Sequence, residues 1–115
     1  MIKVTVFYPA GEGHWFDADY YTKQHAPLSR SVFGSELRGM MIETGVNAGA
    51  PGTAPAYLAI GHLFFDNEEA FNSRYLPNAE ILATDMLKYT NVEPVLQIST
   101  VLVCEIDPAT LYPAS

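Results

Sequence analysis

Apolar and polar positions alternate from Ile2 to Tyr8, with Ile2, Val4, Val6 and Tyr8 set against Lys3, Thr5 and Phe7. A period of two predicts a half-buried strand. Pro9-Ala10-Gly11-Glu12-Gly13 breaks it, and from Asp17 the period becomes helical. At roughly 100° per residue, Tyr21, His25, Leu28 and Val32 fall on one stripe. Asp17 reads as the N-cap, with Phe16 and Tyr21 at the two positions of a hydrophobic staple. Asp19 favours the positive end of the helix dipole and stands one turn before Lys23. Pro27 has no N–H for the carbonyl of Lys23, which predicts a kink there and an end near Val32. An imidazole thus sits on an otherwise apolar stripe, beside a backbone defect.

Further along, Glu36 to Val46 holds a second strand, and the turn-rich stretch Asn47 to Pro55 predicts an exposed hairpin loop. Tyr57 to Phe65 is a third strand, with Leu58, Ile60, His62 and Phe64 on one face and Tyr57, Ala59, Gly61 and Leu63 on the other. Asp66-Asn67-Glu68-Glu69 opens a helix through a variant capping box. Pro77-Asn78 is expected to break and recap it, leaving a short helix from Ala79 to Lys88 with Leu82, Met86 and Tyr89 on one stripe and Asp85 at its edge. Val95 to Glu105 reads as a long final strand, and Asp107 to Ser115 as a loose tail.

The order β-α-β-β-α-β is the split arrangement of ferredoxin-like folds. The expected fold is therefore α+β: a four-stranded antiparallel sheet with its helices on one face, a single domain over residues 1–106 and a tail over 107–115. Both sheet faces carry apolar residues, with Phe7, Met41, Tyr57 and Leu63 set opposite Ile2, Val4, Ile42 and Ile60. Alternation alone leaves open which set meets the helices. The face left over is too apolar for water, and such patches mark interfaces. The simplest cover is a second copy of the chain, sheet to sheet, so a homodimer is expected.

Composition narrows the function. Thirteen acidic residues against six basic ones give a net charge of −7. Such a surface repels phosphate backbones, so nucleic acid and anionic membrane are poor partners. No apolar run is long enough for a membrane span. The single cysteine, Cys104, excludes an internal disulfide, and the expected location is cytoplasmic. A hydrophobic small molecule or another subunit remains as partner.

His25 reads as a general acid or base, or as a core-edge histidine bonded to a carbonyl freed by Pro27. Asp85 could fix the His25 tautomer, or instead accept backbone N–H groups near Tyr89-Thr90-Asn91. Tyr20 and Tyr21 cannot both face inward; Tyr21 shares the His25 stripe and could bond a substrate oxygen. His62 is a candidate for the same pocket, and Tyr20, Trp15 and Phe64 complete the set of candidate substrate contacts. His14, His25 and His62 lie on separate elements without ligand spacing, so neither a metal nor a cofactor is expected.

These residues resemble the EthD family of the dimeric α/β-barrel superfamily along nearly the whole chain. Tyr8-Pro9 ends the first strand, and Phe16-Asp17-x-x-Tyr20-Tyr21-x-x-x-His25-x-Pro27-Leu28 follows. Phe64-Phe65-Asp66, Asp85, Tyr89-Thr90-Asn91, Pro94 and Gln97-Ile98-Ser99 complete the likeness. The resemblance implies a ferredoxin-like protomer whose sheet pairs with a partner's, leaving a pocket between sheet and helices. Superfamily relatives include lactone isomerases, polyketide cyclases, cofactor-independent monooxygenases and haem peroxidases, so fold alone does not choose a reaction. The expectation is a small cofactor-independent enzyme, whether oxidoreductase, isomerase or cyclase, acting on an aromatic or ketonic molecule. The alternative is a non-catalytic ligand-binding or accessory module in a degradation pathway.

Overall fold

A computed structural model describes residues 1–110 of the chain. Strands β1 (Ile2–Pro9), β2 (Gly39–Thr44), β3 (Tyr57–Phe65) and β4 (Val95–Thr100) form one antiparallel sheet in the order β2-β3-β1-β4. The first helical stretch lies between β1 and β2, and α3 (Glu68–Met86) lies between β3 and β4. This is the expected α+β, ferredoxin-like arrangement.

Cross-strand register decides which sheet face the helices cover. Val4 lies opposite Leu63 and Ile98, and Val6 lies opposite Gly61 and Leu96. Val4, Val6, Tyr8, Leu63 and Ile42 therefore share the helix side, and buried Val4 packs with Phe33, Phe65 and Phe71. Phe7, Met41, Tyr57 and Ile60 take the outer face. The expected grouping had Leu63 and Ile60 exchanged. Alternation within a strand does not give the phase between strands, which register alone supplies.

The first helical stretch begins as expected. Tyr20 N–H donates to Asp17 Oδ1 at 3.0 Å, and the Phe16 and Tyr21 rings meet at 5.1 Å. It then departs from the simple pattern. After α1 (Ala18–Tyr20) the chain makes a π turn over Tyr21–His25, and α2 runs over Ala26–Phe33. Ala26 N–H reaches back five residues to Tyr21 O, and Pro27 falls in the first turn of α2, where a missing N–H does no harm. The helix is widened there and does not end. The wider turn also takes up rotation, so that buried Tyr21, His25, Ser29 and Phe33 follow one another at steps of four. Leu28 and Val32, expected on that line, are only half-buried.

Pro77 lies inside α3, which runs on through it instead of breaking. The Asn78 side-chain amide donates to Arg74 O at 2.8 Å, taking up a carbonyl next to the defect. β4 ends at Thr100, opposite Ile2 and earlier than expected, and one further bond, from Val101 N–H to Met1 O at 3.1 Å, follows it. Pro108–Thr110 forms a short 3-10 turn, and residues 111–115 of the expected tail lie outside the described residues.

Candidate functional site

Sheet and helices do not close completely on each other. Between them lies a cavity of about 150 Å³, walled by Val4, Val6, Ile42, Leu63, Phe33, Leu82 and Met86 among others. Leu96 also borders it, yet is 45% exposed, because the edge strand β4 is thinly covered by helix. Tyr21, His25 and Ser29 from the first helical stretch, Tyr8 from β1 and Tyr89 after α3 place polar atoms on an otherwise apolar wall.

His25 and Asp85 form the central pair. His25 Nδ1 stands 2.8 Å from Asp85 Oδ2, with only 11% and 12% of the two side chains exposed. Tyr20 O–H donates to Asp85 Oδ1 at 2.7 Å, and Lys88 Nζ lies 3.8 Å from the same oxygen. Burial pushes the Asp85 carboxyl up, but the hydrogen bonds from His25 and Tyr20 outweigh it, helped by the charges of His25 and Lys88. The net result lies below the ordinary carboxylate value. An ionised carboxylate can only accept, so Nδ1 must carry the proton toward it. In the neutral imidazole Nε2 is then a bare acceptor, and among the described residues it has no protein partner. The reciprocal effect falls on Tyr20, whose hydroxyl is raised by its bond to Asp85, with burial and the carboxylate charge adding to it.

A tyrosine cluster backs this pair. Tyr21 stacks on the His25 ring at 5.4 Å, and Tyr89 lies 4.7 Å from it. The Tyr8 and Tyr89 hydroxyls share a hydrogen bond of 2.7 Å. Burial pushes all three of these phenols, Tyr8, Tyr21 and Tyr89, well above the ordinary value, so each stays protonated as a donor. Gly61 makes room for one of them. A Cβ at that position would stand 2.6 Å from the Tyr21 hydroxyl.

The candidate residues thus divide. His25, Asp85, Tyr20 and Tyr21 come together, with Tyr21 toward the sheet and Tyr20 toward α3. Asp85 takes side-chain donors, not the backbone groups after Tyr89 that were its other reading. His62 borders the cavity between Gly61 and Leu63, while its side chain, like that of Phe64, leaves on the outer sheet face. There His62 Nε2 pairs with Glu43 Oε1 at 2.5 Å. Trp15 is 46% exposed and is tied down by its backbone, which receives Thr90 Oγ1–H at 2.6 Å and donates to Asn91 Oδ1 at 3.0 Å. It does not line the cavity. Tyr8 and Ser29 are among the cavity residues that the sequence did not make candidates. Tyr8 looked like the end of a strand, and Ser29 has a polar type that a helical stripe of apolar residues passes over.

Among the described residues, no group of three or more His, Cys, Asp or Glu side chains is placed to hold a metal ion. Among those residues, too, no helix is long and apolar enough to cross a membrane.

No family model matches the chain, and no curated protein does. Solved structures do. The chain is similar to an EthD-like protein from Ralstonia eutropha JMP134, with 36% identity and a TM-score of 0.84 over 89% of this chain and 92% of that one. It is also similar to an ethyl tert-butyl ether D (EthD) family protein from Bacillus halodurans C-125, at 21% identity and a TM-score of 0.67 over 89% of this chain and 99% of that one. A protein from Arabidopsis thaliana shares the fold at 12% identity and a TM-score of 0.64, over 92% of this chain and 100% of that one.

Proposed function

The chain belongs to the EthD family, and from that premise we propose that it is a small enzyme moving a proton on an aromatic or ketonic molecule held between sheet and helices. The observation that carries this reading is His25 on the wall of an apolar cavity, with Asp85 behind it at 2.8 Å. His25 Nε2 acts as the base and then as the acid. Asp85 orients the ring and steadies the imidazolium, as a carboxylate does in a catalytic triad. The Tyr21 hydroxyl, kept protonated by burial, donates to a substrate oxygen. The C–H bond breaks to Nε2, the electron pair moves onto the carbonyl oxygen, and the same proton returns at another carbon. Isomerisation balances in this way without a cofactor; in a cyclisation the carbon that lost its proton attacks a second carbonyl carbon and the proton returns to the oxygen formed there, while an oxidation needs an electron acceptor in addition.

The reading includes a homodimer. Phe7, Met41, Tyr57, Ile60 and Phe64 leave an apolar outer face, with Met41 43% and Tyr57 38% exposed. A second copy laid sheet to sheet would cover it. A non-catalytic binding module is the other reading, favoured by the Tyr8–Tyr89 bond that turns two hydroxyls on each other. The test is hydrogen–deuterium exchange and isomerisation of 3-cyclohexenone in D2O, followed by NMR. His25→Asn should lower the rate at least about 100-fold, the usual contribution of a positioned acid–base group, and leave the oligomeric state by light scattering unchanged. A fully active variant overturns the reading.

A further inference from the structure

Ser29 stands one turn beyond His25 on the same buried line and is 7% exposed. A helical serine or threonine normally returns its hydroxyl to a carbonyl of the preceding turn. Thr22 does so with Ala18 O at 2.9 Å, and Ser73 with Ala70 O at 3.0 Å. Ser29 makes no side-chain hydrogen bond with any described residue. Yet among those residues no sealed side-chain oxygen or nitrogen lacks a partner. The Ser29 oxygen is therefore not sealed in the packing, and the space it lines is the cavity. A hydroxyl held unsatisfied against apolar walls is unfavourable unless something arrives to bond it.

The walls limit what that something is. Among the described residues no Lys, Arg, Asp or Glu lines the cavity, so an anionic or cationic ligand would enter without a carboxylate, ammonium or guanidinium to meet it. A volume of about 150 Å³ matches an engineered apolar cavity that accepts benzene, which sets the ligand at a single ring. We propose that Ser29 is a further substrate-oxygen contact of this site, beside Tyr21, and that the substrate is an uncharged single-ring compound with a carbonyl or hydroxyl oxygen. This rests on the proton-transfer reading for its chemistry, though not for its binding. With the oxygen on Ser29 and a neighbouring C–H at His25 Nε2, proton abstraction sends the electron pair toward an oxygen that already faces a donor. The negative charge that develops there is stabilised as it forms. Return of the proton from Nε2 restores both groups.

Two neutral probes of equal size separate the contributions: 2-cyclohexenone, which carries the oxygen, and 1-methylcyclohexene, which does not. Binding is measured by calorimetry or NMR titration on the intact chain. Ser29→Ala should weaken the ketone about 5- to 10-fold, the range of one neutral hydrogen bond, and leave the hydrocarbon unchanged within about twofold. Equal effects on the two probes, no effect on the ketone, or no binding of either probe to the unmodified protein overturns the proposal. Exchange of 3-cyclohexenone in D2O separates the two claims. Oxygen selectivity that depends on Ser29, without exchange, keeps this contact and removes the acid–base reading. Exchange that depends on His25, with unchanged selectivity in Ser29→Ala, does the reverse.

Discussion

The layer between sheet and helices has two ends, built from similar amounts of aromatic side chain and very different chemistry. At one end Phe33, Phe65 and Phe71 pack with Val4, their rings 5.1 to 5.9 Å apart. At the other, Tyr8, Tyr21 and Tyr89 pack with His25 at similar spacings, and Asp85 stands behind. The phenylalanine end needs no hydrogen bonds and is held by burial and contact alone. Every polar group at the tyrosine end must be matched or left facing the cavity, which makes that end the weaker source of stability and the better place for chemistry. One scaffold thus sets an apolar end apart from a hydrogen-bonded one along its length.

The sharpest way to break the contrast is at the phenylalanine end. Phe65 is fully buried, and Phe65→Ala should destabilise the protein by about 3–5 kcal/mol in chemical denaturation. Ligand selectivity of whatever remains folded should not change. At the other end Asp85→Asn should cost about 1.5–3 kcal/mol at neutral pH, since it removes a charged acceptor from two donors. This loss has a pH signature. The Asp85 carboxyl is lowered in the folded state, so its contribution is full above the ordinary carboxylate value and disappears as the pH falls through the lowered one. Denaturation curves of the two proteins should therefore converge in acid; a constant gap would contradict the ionised carboxylate.

Gly61→Ala should cost about 1–3 kcal/mol, because the new methyl meets the Tyr21 hydroxyl and the ring must shift. The variant should also disturb the His25 resonances, since Tyr21 stacks on that imidazole. The smallest effect is expected from Tyr8→Phe, about 0.5–1.5 kcal/mol for the hydroxyl pair shared with Tyr89. Its ring packing survives, which distinguishes it from any substitution at the phenylalanine end.

The phenylalanine end and the strands were largely legible in the amino-acid order, because burial imposes a period and periods can be read. Ile2 to Tyr8 and Tyr57 to Phe65 show this. The candidate site was legible in part. His25, Asp85 and Tyr21 stood out as polar groups on apolar stripes, but the face they share turns on a π turn that no spacing signals. A regular helix through Tyr21 and His25 continues to Leu28 and Val32; the widened one continues to Ser29 and Phe33, and so brings a serine to the cavity. Pro77 shows the converse, a helix-breaking residue that α3 runs through without ending, with the Asn78 side chain donating to the neighbouring Arg74 carbonyl. His62 was legible only in part: it borders the cavity, but its ring does not face His25. It lies on an alternating strand, and only the register with β1 shows that its side chain leaves on the outer face.

The account depends on one nitrogen above all. Long-range 1H–15N correlation NMR at pH 8 reads the tautomer of His25 directly. A proton on Nδ1 and a bare Nε2 is the predicted result, with the preference lost in Asp85→Asn. A proton on Nε2 in the unmodified protein, or a tautomer indifferent to Asp85, would contradict it.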